Sequence, residues 1–257
     1  MKRVAIITGA SSGMGREFAR AAAKRGLADE IWAVARRADR LAQLQAELPV
    51  PVRPLVLDLG DPASVDAVEA LLQAEHPAVT LLVNAAGFAK FGCWDDLTRA
   101  EADGMMEVNM RALVDLTAAA LPFVPRGGRV LQVASCAAFQ PLPGLNLYAA
   151  TKAFVLRYTR ALRWELWGRG IRMTAVCPGW VSTEFNQVAR ATASGSNTVR
   201  HTPLSIPPAA VVRAAFAANT LDLPVASCLP TTFVQRLGTK LFPDWVSMGC
   251  WQLLRRL

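Results

Sequence analysis

Histidine is almost absent. The 257 residues hold only His76 and His201. His76 precedes Pro77 at an expected helix end and His201 lies in a polar loop, so both read as surface residues. A Ser-His-Asp hydrolase is not indicated. Cysteine is sparse: Cys93, Cys136, Cys177, Cys228 and Cys250 are scattered, odd in number and form no CxxC pair. That pattern argues against a disulfide framework and a structural metal site, and fits a reducing cytoplasm. Long apolar runs are missing too. Ala112–Val124 is interrupted by Asp115 and Pro122, and Pro207–Ala218 by Arg213. Nothing reaches the roughly 18 apolar residues of a membrane span. The start, MKRVAIITGASSG, turns polar and Gly-rich after a short apolar run, so it reads as a buried strand and not a signal peptide.

What is present is apolar and basic. Hydrophobic residues make up 53% of the chain, which excludes disorder. The net charge is +8. Basic clusters at Arg16–Arg25, Arg36–Arg40, Arg157–Arg163 and Arg255–Arg256 recur mostly at helical spacing and read as solvated faces. They lack the aromatic interleaving of a nucleic-acid channel, so no nucleic-acid partner is expected. An anionic cofactor or an anionic membrane surface suits the balance.

Short apolar runs alternate with helical patterns. Strands are expected at Val4–Thr8, Ile31–Ala35, Val52–Leu57, Thr80–Asn84, Gly128–Ser135 and Ile171–Cys177. Helices are expected at Arg16–Arg25, Asp39–Leu48, Pro62–Glu75, Arg99–Phe123 (in two pieces around Gly104) and Tyr148–Gly168. Leu223–Pro230 supplies a seventh strand. Apolar strands alternating with helices predict one α/β domain over 1–257, a Rossmann-like doubly wound parallel sheet of about seven strands. Thr183–Pro203 is polar and aperiodic and reads as a mobile loop over a substrate.

Between the first strand and first helix lies Thr8-Gly9-Ala10-Ser11-Ser12-Gly13-Met14-Gly15. Glycines in that context permit a tight turn and let backbone N–H groups approach a pyrophosphate. The second strand ends in Ala35-Arg36-Arg37, where a carboxylate would hold ribose hydroxyls. The acid is missing, and a guanidinium suits a 2′-phosphate, so NADP(H) is favoured over NAD(H). Further on, Ser135 ends a strand, a Pro/Gly loop follows, and Tyr148 and Lys152 share a helix face one turn apart. An ammonium beside a phenol is expected to lower the tyrosine pKa. Such a tyrosine suits carbonyl reduction or alcohol oxidation.

These segments, in this order, resemble the short-chain dehydrogenases/reductases from Lys2 to about Thr183. The glycine turn is similar to the family's TGxxxGxG coenzyme loop. Asp58-Leu59 resembles the pair that meets the adenine ring. Asn84-Ala85-Ala86-Gly87 resembles NNAG, departing at its second position. Asn109 resembles the active-site asparagine, whose backbone holds a water near the lysine. Ser135, Tyr148 and Lys152 resemble the catalytic trio. Pro178-Gly179, with Val181 and Thr183, resembles the segment that holds the nicotinamide carboxamide. The resemblance implies hydride exchange with the nicotinamide, proton transfer at Tyr148, anchoring of the oxygen by Ser135, a relay through Lys152 and Asn109, and a homodimer or homotetramer.

The family's usual glycine-rich end is replaced by an apolar helical tail over 231–257, with Val246, Cys250, Leu253 and Leu257 on one face. The tail loosely resembles the branch with hydroxysteroid dehydrogenases and long-chain ketoacyl reductases, where it covers the pocket or leans on membrane. Phe88, Phe139, Leu142, Leu145, Trp180 and Phe185, with Ser135 and Tyr148, are the expected substrate contacts. Their apolar character points to a bulky hydrophobic substrate, first a hydroxysteroid- or bile-acid-like ketone. The alternatives are a fatty-acyl-derived ketone, a sugar or polyol, or a non-catalytic dinucleotide sensor. Lys90 is a candidate partner for an acidic substrate group, against a solvated lysine.

Overall fold

The structure is a computed structural model and describes residues 1–195, 198–199 and 205–255. His201, residues 256 and 257, and parts of the 183–203 loop lie outside them. In chain order come β1 (Arg3–Thr8), α1 (Gly13–Lys24), β2 (Glu30–Ala35), α2 (Ala38–Glu47), β3 (Val52–Val56), α3 (Ala63–Glu75) and β4 (Ala78–Asn84). Then follow α4 (Arg99–Met106), α5 (Ala112–Ala120), β5 (Arg129–Val133), α6 (Asn146–Glu165), β6 (Arg172–Cys177) and α7 (Phe185–Arg190). The chain ends in α8 (Pro208–Thr220), β7 (Val225–Ser227), α9 (Pro230–Leu241) and α10 (Asp244–Leu254).

All strand pairs are parallel, in the order β3-β2-β1-β4-β5-β6-β7. The expected seven-stranded sheet is therefore present. The order reverses between β1 and β4, which opens a crevice at their carboxyl ends. Central strands are apolar on both faces because helices cover both. On one face Phe18 of α1 meets Phe216 of α8 edge-on at 5.7 Å. On the other, Val68, Leu72 and Leu116 from α3 and α5 pack on Ile6, Trp32 and Leu82. β3 tolerates Pro54 because it is an edge strand, where a missing donor costs little.

Four local expectations are corrected. The stretch read as a loop over 183–203 contains α7 (Phe185–Arg190), in which Ala189 is buried. The break in the Arg99–Phe123 helix is not at Gly104 but at a π-helical turn, Glu107–Arg111, that carries Asn109. α1 starts at Gly13, three residues earlier than expected, with no side chain capping it and no acid in its first turn. Arg163 is not solvated: it is buried and donates to Asp222 Oδ1 (2.7 Å), to the Asp222 carbonyl (2.8 Å) and to the Met173 carbonyl (3.2 Å). It pins the left-handed turn at Asp222 that feeds β7. Among the described residues no helix is long and apolar enough to cross a membrane.

Candidate active site

The crevice is shaped first by backbone packing. Gly9 and Gly13 have φ of +67° and +52°, where a side chain is strained. A Cβ on Gly15 would lie 2.3 Å from the Gly9 carbonyl, so α1 can start against the turn only with glycine there. Thr8 ties the turn to the segment after β4: its Oγ1 accepts from the N–H groups of Ala85 (3.0 Å) and Ala86 (2.9 Å). At the motif's alanine it is the backbone N–H that makes this contact. The uncapped N-terminus of α1, its glycine turn and the missing acid fit a dinucleotide pyrophosphate. Asp58 closes its own turn by accepting from Gly60 N–H (3.0 Å), and Leu59 is buried beside it. Asn84 is buried and donates to Thr117 Oγ1 (2.9 Å), so it builds the sheet end and does not face the crevice.

The arginines after β2 have partners. Arg36 is exposed, 3.8 Å from Asp58. Arg37 donates to Ser11 Oγ (3.2 and 3.3 Å) and to Glu184 (2.8 Å). Both flank the glycine turn, where a 2′-phosphate would be bound.

Ser135 follows β5 and accepts from Ala137 N–H (3.1 Å), which fixes its side chain at the head of a short 3₁₀ turn, Cys136–Phe139. Tyr148 and Lys152 stand on α6 and are buried. The Lys152 ammonium donates to the Val133 carbonyl (2.9 Å) and lies 5.8 Å from the centre of the Tyr148 ring. Asn109 is fully buried. Its Oδ1 accepts from Phe88 N–H (3.0 Å), and its Nδ2 donates to the Phe88 carbonyl (2.9 Å) and Thr151 Oγ1 (3.2 Å). The π turn supplies the extra residue that swings this amide inward. A poor helix former sits there because its side chain replaces backbone pairing for Phe88.

The expected fall in the Tyr148 pKa is overturned. Burial raises the phenol well above its ordinary value, against a polar contact from Ser135, with the Cys136 and Cys177 thiols adding to the rise. Burial also lowers Lys152 to about 8. Desolvation favours the neutral form of each group. A phenol held neutral is a proton donor.

A cavity of about 630 Å³ runs from Ser135, Tyr148 and Lys152 outward. Met14, Ala85, Gly87, Pro178, Gly179, Val181 and Thr183 border its inner end, and Leu142, Leu145, Trp180 and Phe185 line its walls. Phe185 meets the Tyr148 ring at 5.7 Å. Two expected contacts are not there. Phe139 packs on the far side with Leu156 and Tyr158. Phe88 packs behind the cavity with Met105, filling the space that Gly104 leaves open. Lys90 is not free for a substrate: it bonds the Ala191 carbonyl and lies 3.6 Å from Glu101.

The sequence reading missed Phe91, Gln140 and most of the tail's contribution. Val234 and Gly238 of α9, Phe242 between the helices, and Val246, Cys250 and Trp251 of α10 line the outer cavity. Trp251 donates to the Pro143 carbonyl (2.9 Å), clipping α10 to the loop before α6. Of the expected tail face, Val246 and Cys250 line the cavity but Leu253 does not. Leu253 is 70% exposed, while Trp251 takes the inward place. The only advance signal was that Trp251 sits beside the apolar stripe.

A parallel sheet with a switch-point crevice, a glycine turn opening a helix, and a buried Ser-Tyr-Lys group define a dinucleotide-dependent oxidoreductase. The chain belongs to the short-chain dehydrogenase family, whose model matches residues 3–194. It therefore acts at an alcohol or carbonyl group. It is 38% identical over 197 residues to sulfoacetaldehyde reductase 2 of Chromohalobacter salexigens, covering 73% of this chain and 76% of that one. Among solved structures it is similar to a short-chain dehydrogenase from Sphingobium yanoikuyae in complex with NADPH (30% identity, TM-score 0.78, 93% and 94% covered). It is also similar to the bulky-bulky ketone specific alcohol dehydrogenase from Comamonas testosteroni (27% identity, TM-score 0.75, 97% and 93% covered). None of these names is a hydroxysteroid or ketoacyl enzyme, so the family stands and the narrower branch does not follow from them.

Proposed function

We propose that the protein is an NADP(H)-dependent oxidoreductase that interconverts a ketone and a secondary alcohol on a bulky hydrophobic substrate. The observation that carries this reading is the cavity lining. From Ser135 to Trp251 it is mainly apolar, and Lys152 is its single charged member among the described residues. A small sulfonate such as sulfoacetaldehyde would find no cation there beyond the one at the reaction centre. A broad apolar chamber closed by aromatic side chains suits a polycyclic, steroid-like ketone. A fatty-acyl-derived ketone is the second reading, favoured by the apolar lining that Val234, Phe242 and Val246 of the tail add to the cavity. The NADP(H) preference rests on Arg36 and Arg37 at the end of β2 and on the lack of an acid there.

The dinucleotide would supply or accept the hydride. Tyr148, neutral by burial, donates its proton to the carbonyl oxygen, and Ser135 hydrogen-bonds that oxygen to position it. Lys152 and Asn109 meet across Gly87, where a Cβ would lie 3.3 Å from the ammonium and 2.9 Å from the amide oxygen. They form the route by which Tyr148 regains a proton. The test is oxidation of NADPH, with NADH in parallel, against steroid ketones, long-chain ketoacyl compounds, sugars and sulfoacetaldehyde. Turnover of steroid or acyl ketones with NADPH is expected. Preference for sulfoacetaldehyde or a sugar would refute the substrate reading.

A further inference from the structure

Glu184 reaches across the crevice from the segment after β6 and takes hold of the arginines beside the glycine turn. One carboxylate oxygen accepts from Arg37 Nη1 at 2.8 Å, and the other lies 3.9 Å from Arg40 Nη2. Two guanidiniums one helical turn apart, with Ser11 Oγ on the same Arg37 fork, are the donor set that a phosphate monoester takes. Arg37 holds the Glu184 carboxyl below its ordinary range, so it is charged at neutral pH. The other basic groups nearby have their own partners: Arg16 and Arg20 are paired to Glu47. Thr183, one residue before, sits over the glycine turn, 3.1 Å from where a Cβ of Gly13 would be. Phe185, one residue after, is the ring against Tyr148.

We propose that Glu184 is an internal competitor for the 2′-phosphate site, its carboxylate occupying on Arg37 and Arg40 the donors that the phosphate of NADP(H) requires. The proposal rests on the NADP(H) reading above. Glu184 thus sets how strongly the protein discriminates between the two dinucleotides. It weakens binding of the phosphorylated form, which must displace the carboxylate, and leaves the unphosphorylated form untouched. The exchange of partner at Arg37 happens one residue from the aromatic wall of the substrate cavity, so the ribose end and the substrate end are linked by chain continuity.

Binding, not turnover, tests this. Dissociation constants of NADPH, NADH, 2′-phospho-ADP-ribose and ADP-ribose are measured by titration calorimetry for wild type, Glu184→Gln, Arg37→Ala and the double variant. An ion pair this exposed is weak, and a phosphate's repulsion by the carboxylate adds to what its loss gives. Glu184→Gln should therefore bind the two phosphorylated ligands about three- to tenfold more tightly, with the other two unchanged. In the Arg37→Ala background that gain should vanish. No gain, a loss, or an equal gain for all four ligands in Glu184→Gln would overturn the proposal while leaving the NADP(H) reading intact. A wild type that binds NADH more tightly than NADPH would remove the NADP(H) reading, and the proposal with it.

Discussion

Lys152 is where function and stability oppose each other, and replacing it by methionine separates them. The side chain is 4% exposed, and burial lowers its pKa from 10.5 to about 8. Holding that charge in the fold at pH 7 therefore costs about 3 kcal/mol, at roughly 1.4 kcal/mol per pKa unit. Lys152→Met removes the cost but also the bond to the Val133 carbonyl, a loss of about 1 kcal/mol. The variant should be more stable by about 2 kcal/mol, a rise in Tm of roughly 4–8 °C for a chain of this size. It should also be inactive.

The pH dependence identifies the cause. Below pH 8 the lysine is protonated in both folded and unfolded chains, and the whole penalty is present. Between about 8 and 10.5 the unfolded chain holds a proton that the folded one has released, so wild-type stability rises with pH relative to the variant. Above 10.5 the advantage of Lys152→Met should be gone. Urea denaturation of both proteins at pH 7 and pH 10 measures this, and taking the difference cancels the titration of other groups. A variant less stable than wild type at pH 7, or an advantage independent of pH, would refute the reasoning.

Tyr148→Phe should lose about 10²–10⁴-fold in turnover yet bind the dinucleotide normally, as steady-state kinetics and calorimetry would show. Gly15→Ala places a Cβ 2.3 Å from the Gly9 carbonyl; fluorescence titration should find dinucleotide binding abolished, with a stability loss of about 1–3 kcal/mol. Asn109→Ala strands the Phe88 N–H and carbonyl inside the fold; chemical denaturation should show a loss of about 2–4 kcal/mol even without substrate or dinucleotide.

Much of the architecture was legible in short stretches of sequence. Apolar runs of strand length between helical patterns announced the parallel sheet. The glycine turn was readable because its context, strand before and helix after, is local. The spacing of Tyr148 and Lys152 placed them on one face of α6. What failed were inferences about direction and surroundings. Phe139 lies close in sequence to crevice residues, yet it joins a different cluster with Leu156 and Tyr158, and Phe88 shares the wall residues' cluster without lining the cavity. The tail's stripe of Val246, Cys250, Leu253 and Leu257 was right for Val246 and Cys250, which line the cavity, but α10 also docks through Trp251, whose indole donates to the Pro143 carbonyl, and leaves Leu253 exposed.

The residue pattern alone therefore determined the strands, the helices as far as α6, their order, and which groups stand at strand ends, while α7 and α8 were not read from it. Backbone propensity and periodicity act over a few residues, and a chain segment carries them wherever it goes. Only the tertiary structure decided that Tyr148 is held neutral, that Asn109 turns inward on a π turn, and that Glu184 meets Arg37 across 147 residues. Desolvation and long-range pairing depend on what the returning chain brings close, and no local stretch encodes that.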